Sequence, residues 1–176
     1  MGKRSDFERN ERDYYPTPIE AVQPLLSLLP PEQAFIEPCA GDGRLVRYLE
    51  TAGHTCVAAY DIEPQADGIA QADMFDVAFR DDAEVVTNPP WDRKVLHPLI
   101  TKMIDEGTSG WLLFDYGWSA TQQAIPFMQH VRTIMPIGRV RWIPGSKDKS
   151  KDAVAWHRIE PDAGATTLIT PMKVAS

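Results

Sequence analysis

The sequence predicts an α/β domain with a doubly wound, mostly parallel sheet that ends in an antiparallel hairpin. Short apolar runs alternate with segments of helical periodicity from residue 34 to residue 129. This alternation is typical of right-handed βαβ units, whose sheet is buried on both faces. Beyond residue 129 the helical segments disappear and strand-like runs follow one another, which indicates antiparallel strands.

Chain length and composition fit one globular unit. The chain has 176 residues, of which 43% are hydrophobic, and this is enough to enclose one core but not two. We expect residues 14–176 to form a single domain and the highly charged residues 1–13 to form a mobile arm. The two cysteines, Cys39 and Cys56, lack the spacing of a zinc site or a disulfide framework, so we expect no metal.

The sequence contains no obvious targeting or membrane segment. No apolar stretch reaches the roughly 20 residues that cross a bilayer, and the N-terminus lacks the apolar centre of a secretion signal. We therefore expect a cytoplasmic protein without a membrane partner.

The predicted elements follow in chain order. The first is a helix with apolar residues at helical spacing from Ile19 to Leu29, capped by Thr17 and stopped by Pro30 and Pro31. The next are a strand at 34–37, a helix at 44–51, strands at 55–61 and 83–88, and a helix at 95–104. The last are a strand at 110–117, a helix at 120–129, and strands at 131–137, 139–143 and 153–159. In such sheets ligands bind at the carboxyl ends of the strands.

A glycine-rich turn, EPCAGDGR at residues 37–44, joins the first predicted strand to a helix. Gly41 and Gly43 allow a sharp turn and let a ligand approach the backbone, and the free amides of the helix start attract an electronegative group. Many strand-to-helix turns carry glycine for geometry alone, so this motif is weak evidence when taken by itself.

Two carboxylates end the strands that follow. Asp61 lies about 20 residues after the glycine turn, where an acid can accept hydrogen bonds from both hydroxyl groups of a ribose. Asp73, in QADMF, could accept from the exocyclic amine of an adenine. A helix cap or a turn is an equally good interpretation of Asp73.

The glycine-rich turn at residues 37–44 argues against a pyrophosphate-bearing cofactor. Val46 occupies the place of the third glycine in the usual dinucleotide pattern. Glu37 and Asp42 would repel phosphates and would suit a cofactor that carries positive charge. A sulfonium compound with an amino-acid tail meets these demands.

The segment TNPPW, from Thr87 to Trp91, follows an apolar run. The two prolines remove two backbone donors and fix two φ angles, so Asn88 is held extended and Trp91 projects from a stiff support. Such a corner suits a flat, hydrogen-bonding group. Core packing of Trp91 is the alternative interpretation.

The set EPCAGDG, YDIEP, QADMF and TNPPW, in this order and spacing, resembles class I S-adenosylmethionine-dependent methyltransferases. It is most similar to their amino-methyltransferases, whose signature is Asp, Asn or Ser, then two prolines, then Tyr, Phe or Trp. With the upstream DYYPTP, the chain also resembles small phage-borne DNA N6-adenine methyltransferases. The resemblance covers about residues 13–160 and implies a Rossmann-like fold, S-adenosylmethionine as cofactor and, for a phage protein, a bacterial cytoplasm.

The resemblance implies roles for the matched residues. Those assigned to the methionine end of the cofactor are Tyr15, Thr17 and Pro18. The other cofactor-binding positions are Glu37, Cys39 and Gly41 in the glycine-rich loop, Asp61 and Ile62 at the ribose, Asp73 and Met74 at the adenine, and Asn88. The catalytic corner is Asn88, Pro89, Pro90 and Trp91, with Trp91 also stacking on the substrate. The commoner form of this family has aspartate in place of Glu37 and tyrosine in place of Trp91.

A basic segment favours nucleic acid as the substrate. The net charge is −7, yet residues 138–158 carry six basic and two acidic side chains. A solvated surface loop is the alternative interpretation. We expect these residues to face the phosphates of DNA. The expected substrate-binding residues are Trp91, Tyr116, Trp118, Arg139, Arg141, Lys147, Lys149 and Lys151.

Adenine N6 in DNA is therefore the expected acceptor. An RNA base or a protein glutamine suits the same corner, and a non-catalytic subunit is a third interpretation. Since the chain has little room for a separate recognition domain, a second protomer could supply that surface. We expect Phe114 to pack in the core, and His97 and Cys39 to have structural rather than catalytic roles.

Overall fold

The structure, a computed structural model, describes residues 15–143 and 149–171. The expected mobile arm at residues 1–13 and Lys147 of the basic segment lie outside these residues. The strands are β1 (Ala34–Glu37), β2 (Thr55–Asp61), β3 (Ala70–Gln71), β4 (Glu84–Thr87), β5 (Gly110–Asp115), β6 (Val131–Gly138), β7 (Val154–Ile159) and β8 (Thr167–Leu168). The α-helices are α1 (Ile19–Leu26), α2 (Arg44–Thr51), α3 (Arg93–Asp105) and α4 (Ile125–Met128).

The strands form one sheet in the order β3-β2-β1-β4-β5-β7-β6-β8. Strands β1 to β5 are parallel to one another. Strand β7 is antiparallel to both β5 and β6. This arrangement confirms the predicted α/β fold with an antiparallel end.

The apolar runs of the central strands are nearly continuous because both faces of the sheet are covered. Val85 and Leu112 pack on one face in a cluster with the buried residues of α3. Their neighbours Val86 and Leu113 pack on the other face with the buried residues of α1 and α2. Successive residues of a strand point to opposite faces, so a strand buried twice needs apolar residues at every position.

One glycine sets the distance between β4 and β5. A Cβ atom at Gly110 would lie 2.1 Å from the carbonyl oxygen of Val85. No side chain fits there, so glycine is required for these two strands to pair at this point.

The first predicted helix differs from the structure at both ends. Helix α1 ends at Leu26, and Ser27, whose hydroxyl donates to the Pro24 carbonyl, is its C-cap. Pro18, rather than Thr17, occupies the N-cap position, and no side chain caps the helix. The prediction of a Thr17 cap is therefore wrong, because the Thr17 hydroxyl is bonded to a distant residue described below.

Two later predictions are also wrong. The helix predicted at 120–129 is a pair of 3₁₀ turns, Tyr116–Ala120 and Gln122–Ala124, followed by the single turn of α4. Residues 139–143 form no strand, because Gly138, with a φ of 83°, ends β6. The antiparallel hairpin is β6 with β7, and the short edge strand β8 has no counterpart among the predicted elements.

No helix among the described residues is long and apolar enough to cross a membrane.

Candidate active site

A cavity of about 930 Å³ opens at the carboxyl ends of the parallel strands. Its volume lies in the range of ligand pockets in proteins. The four motifs singled out in the sequence all contribute to its lining, which includes Glu37, Cys39, Asp42, Asp61, Asp73, Asn88 and Pro90. Strand ends that are far apart in the chain therefore meet at one edge of the sheet, where ligands bind in this class of fold.

The glycine-rich turn has the backbone that its sequence predicts. Gly41 and Gly43 have φ angles of 53° and 73°, which glycine adopts without steric cost. Gly43 is the N-cap of α2. The Gly41 amide donates to Asp61 Oδ2 over 2.7 Å, so the turn is tied to the end of β2.

Asp61 is oriented by two backbone amides. Its Oδ2 accepts from Gly41 N, and its Oδ1 accepts from Glu63 N over 2.8 Å. A carboxylate has about four lone-pair positions. The carboxylate, which lines the cavity, thus retains acceptor capacity for a ligand.

Glu37 is buried at the end of β1 and is 1% exposed. Its Oε1 accepts from the Thr87 hydroxyl over 2.5 Å and from the Cys39 amide over 3.1 Å. Its Oε2 has no partner among the described residues. The pKa of Glu37 is raised to about 8, chiefly by burial and to a smaller extent by the nearby Asp61, although the hydrogen bonds from Thr87 and Cys39 lower it. A buried carboxylate oxygen without a donor is costly, and it marks a place for a ligand donor.

The lining of the cavity is acidic. Among the described residues that line it none is Lys or Arg, and the acidic ones are Glu37, Asp42, Asp61, Glu63, Asp73 and Asp92. Arg44 lies nearby, but its Nε is 2.9 Å from Asp42 Oδ2 and forms an ion pair with it. The cavity therefore disfavours phosphate groups and favours a ligand with positive charge.

An apolar surface faces the same cavity beside Asp73. Ile62 and Phe75, which both line the cavity, are 54% and 40% exposed. Met74 Sδ lies 3.6 Å from the Cys39 sulfur. Asp73 Oδ1 accepts from the Phe75 amide over 3.0 Å, so Asp73 forms the turn that its alternative interpretation predicts while it also lines the cavity.

Asn88 is held by the segment that precedes α1. Its Nδ2 donates to the Tyr15 carbonyl over 3.2 Å and to the Thr17 hydroxyl over 3.1 Å. Both amide hydrogens therefore face residues 15–17, and Oδ1 lies on the other side of the amide. Asn88 and Pro90 line the cavity.

Trp91 is anchored to the sheet rather than projecting freely. Its ring N–H donates to the Leu113 carbonyl over 3.1 Å and lies 3.4 Å from Asn88 Oδ1. The ring is half-buried and packs on the core. Its other neighbour is Trp142, which meets it edge to face at 5.6 Å between ring centroids. The indole that the sequence predicts to project from a stiff support is therefore held against the sheet, and its stacking on a substrate stays a prediction.

Trp118 does not reach the site. It is 2% exposed, and its ring N–H donates to His97 Nε2 over 3.0 Å. This contradicts its predicted substrate contact, because the ring is buried in the core and its one donor is bonded to His97. Phe114 is fully buried, as predicted, and Tyr116 is half-buried. A notch of about 40 Å³ separates Trp91 from Trp118, which is room for about one water molecule.

Residues 139–143 follow β6 and lie near the carboxyl ends of the strands. Gly138 pairs with Val154 and Val154 pairs with Asp115, at the carboxyl end of β5. The Arg141 amide donates to Glu20 Oε1 over 2.6 Å. Trp142 contacts Trp91 and also Tyr15, at 6.3 Å between centroids. Sequence reasoning missed Trp142, although an aromatic residue beside two arginines was the available signal.

The predicted basic residues divide between the two edges of the sheet. Those with exposed side chains toward the cavity end of β6 and β7 are Arg139, Arg141, Lys149 and Lys151. Arg158 lies at the opposite edge, where it pairs with Glu84 and Glu160 and stacks over Trp111. Part of the local positive charge is thus neutralised away from the site.

No group of three or more potential metal-binding side chains occurs among the residues that the structure describes.

Solved structures with this architecture are distant in sequence. A Pyrococcus horikoshii protein assigned as an RNA methyltransferase gives a TM-score of 0.64 at 16% identity, over 83% of this chain and 85% of that one. A Listeria monocytogenes protein assigned as a class I S-adenosylmethionine-dependent methyltransferase gives 0.55 at 15%, over 97% and 66%. The modification subunit of a Vibrio vulnificus protein assigned as a type I restriction enzyme gives 0.54 at 11%, over 89% and 47%.

Comparison of the sequence with known families and curated proteins finds no relative. No known family profile matches the chain, and no curated protein is significantly similar to it. At sequence identities of 11% to 16%, the similarity to these structures concerns the fold alone. The chain has the fold of the class I methyltransferases.

Proposed function

We propose that this protein transfers a methyl group from S-adenosylmethionine to an exocyclic amino nitrogen, with adenine N6 in DNA as the acceptor. The observation that carries the proposal is that Asn88 and Pro90 line the same acid-rich cavity as Glu37, Asp61 and Asp73. One part of this site suits a cation, and the other suits an amine.

The residues of the cavity fit the cofactor. Glu37, whose raised pKa leaves it protonated at neutral pH without a cation beside it, would lose that proton and accept from the ammonium group of the cofactor. Asp61 would accept from the ribose hydroxyls, and the surface of Ile62 and Phe75 would cover the adenine. S-adenosylmethionine supplies an electrophilic methyl group on a sulfonium centre. A cationic ligand also suits the local charge, since no basic residue occurs in the described lining.

The corner at Asn88 supplies the grip on the acceptor. Asn88 Oδ1 and the Pro89 carbonyl accept the two hydrogens of the amine, which turns its lone pair toward the cavity. Holding both reactants in line can lower the barrier by about 7–11 kcal/mol without covalent catalysis. The amine releases its proton after transfer, so no strong general base is needed.

Positive charge at the cavity edge supports a nucleic-acid substrate. Arg139 and Arg141 are exposed beside the aromatic contact of Trp142 with Trp91. Phosphate contacts supply most of the non-specific affinity of DNA-binding proteins. The likeness to a restriction-enzyme modification subunit is consistent with DNA.

The test is to incubate the protein with labelled cofactor and separate pools of DNA, RNA and protein. Mass spectrometry of nucleosides from the DNA pool should find N6-methyladenine, and its yield should fall as salt rises. Label in the protein pool alone, or a rate on duplex DNA that is independent of salt, would contradict the DNA proposal.

RNA is the second candidate substrate. The observation that favours it is the likeness to a protein assigned as an RNA methyltransferase, which spans 85% of that chain. The same corner can hold a base of either polymer. Label in the RNA pool with none in DNA would decide for RNA.

A further inference from the structure

We propose that Thr17 is a positioning residue for Asn88. Together with the Tyr15 carbonyl it fixes which end of the Asn88 amide faces the acceptor amine. The expected effect on methylation rests on the proposed function. The hydrogen bonds themselves are present in the protein without ligands. It differs from the cofactor contact that the family resemblance implies for Thr17.

The two bonds leave one orientation for the amide. The Tyr15 carbonyl can only accept, so the atom facing it must be the amide nitrogen of Asn88, at 3.2 Å. The second hydrogen goes to the Thr17 hydroxyl at 3.1 Å. A flipped amide would place its oxygen against the Tyr15 carbonyl oxygen, which is repulsive. The orientation is therefore determined by bonding and not by convention.

We call the two hydrogen bonds from Asn88 Nδ2 to Thr17 and Tyr15 the Asn88 clamp. Burial of Thr17 strengthens this clamp. Thr17 is 6% exposed, so little water is available to replace its hydroxyl as an acceptor. The partners are 71 and 73 residues apart in the chain. The segment before α1 therefore acts on a strand end that it meets only in the folded protein.

The opposite end of the amide remains available. Among the residues that the structure describes, Asn88 Oδ1 has one hydrogen-bond neighbour, the Trp91 ring N–H at 3.4 Å, and that N–H is closer to the Leu113 carbonyl, at 3.1 Å. A carbonyl oxygen has two lone pairs. Oδ1 can thus accept a hydrogen from an incoming amine, whereas a flipped amide would present two hydrogens to it.

Thr17→Val tests the clamp, because it keeps the shape of the side chain and removes the hydroxyl. Thr17→Ser is the matched control, because it keeps the hydroxyl. At saturating cofactor and nucleic acid, single-turnover methylation should fall about tenfold in Thr17→Val, the equivalent of one neutral hydrogen bond. Thr17→Ser should stay close to the wild-type rate. The cofactor Kd from calorimetry should change little in either variant.

A second measurement is independent of activity. In the ligand-free protein, the Asn88 side-chain amide, assigned by its loss in Asn88→Ala, should show slow hydrogen exchange by NMR. Exchange should become faster in Thr17→Val and remain slow in Thr17→Ser.

The outcomes separate the two proposals. An unchanged methylation rate in Thr17→Val, or a loss that appears only in cofactor affinity, overturns the clamp. Fast exchange of the Asn88 amide in the wild type also overturns it. If the wild type methylates none of the pools, the proposed function falls, while the exchange measurement still decides the orientation of Asn88.

Discussion

The cavities on the two sides of Asn88, at the carboxyl ends of the strands, differ in volume. At the ends of β1, β2 and β3 lies the cavity of about 930 Å³, with an unpartnered carboxylate oxygen. On the β5 side of Trp91 lies a notch of about 40 Å³, and Trp91 packs against Trp142. The proposed cofactor side is thus open in the protein without ligands. The proposed acceptor side is closed by aromatic packing among the described residues, so a base that reaches Asn88 would enter from the cavity or after the Trp91 and Trp142 rings separate.

Asn88→Ala should separate the two sides most sharply. It removes the acceptor oxygen but leaves Glu37 and Asp61 in place, so single-turnover methylation should fall by roughly two to three orders of magnitude. Cofactor affinity measured by calorimetry should remain close to wild type. Near-normal methylation in this variant would show that the corner is not the grip on the amine.

Asp61→Ala should have the reverse effect. Loss of hydrogen bonds to a charged group should weaken cofactor binding by about 10- to 100-fold. The free energy of unfolding is measured as the control, because Asp61 also accepts from the Gly41 and Glu63 amides and its loss could loosen the turn. Unchanged cofactor affinity in Asp61→Ala would remove this residue from the site.

The pH dependence of stability should distinguish the buried carboxylate of the cofactor side from the buried histidine of β7. Burial raises the pKa of Glu37 from 4.5 to about 8. The folded protein then keeps a proton that the unfolded chain has released, so the contribution of Glu37 to stability falls as pH rises between these values. Burial lowers the pKa of His157 from 6.5 to about 3, so its contribution falls as pH drops below 6.5.

The two contributions oppose each other between pH 4.5 and 6.5, and only that of Glu37 continues from 6.5 to 8. In this upper range the contribution of Glu37 to the free energy of unfolding should fall by about 1.4 kcal/mol per pH unit. Glu37→Gln should remove this slope in urea unfolding at pH 6.5 and 8. Equal slopes in wild type and variant would contradict a protonated Glu37.

The smallest expected effect concerns the arginines of the acceptor side. Replacing both Arg139 and Arg141 by Ala should reduce the salt dependence of DNA binding, with the log–log slope changing by about 0.9 for each lost phosphate contact. Arg80→Ala is the control, compared per lost charge because it removes one charge where the double variant removes two. Arg80 is exposed, pairs with Asp82 and precedes β4 at the opposite end of the strands. An equal change in the control would mean that net charge alone controls binding.

The cofactor side could be predicted from the sequence because its signals are local. The bounds of α2 and β2 match the prediction, since each follows from a short periodic run. The turn needs only Gly41 and Gly43 to adopt its positive φ angles. Parallel strands then bring Asp61 to the same edge.

The acceptor side could not be predicted in the same way. Thr17 looked like a helix cap, but its partner is 71 residues away. Trp91 and Trp118 looked like exposed aromatics, but each donates its ring N–H to a distant residue, Leu113 or His97. Such partners are set by tertiary packing, which no local pattern records.

Helix α1 makes completion of the site depend on the order of synthesis. The helix is made early, yet its Ala21 carbonyl accepts from the ring N–H of Trp156, 135 residues later, over 2.7 Å. Its Glu20 accepts from Arg141, which is also made late. During translation from the N-terminus, residues 15–17 therefore gain their full support at Asn88 only when β7 has emerged. A ribosome-bound chain that stops short of β7 would carry the motifs of the site without the contacts that secure them.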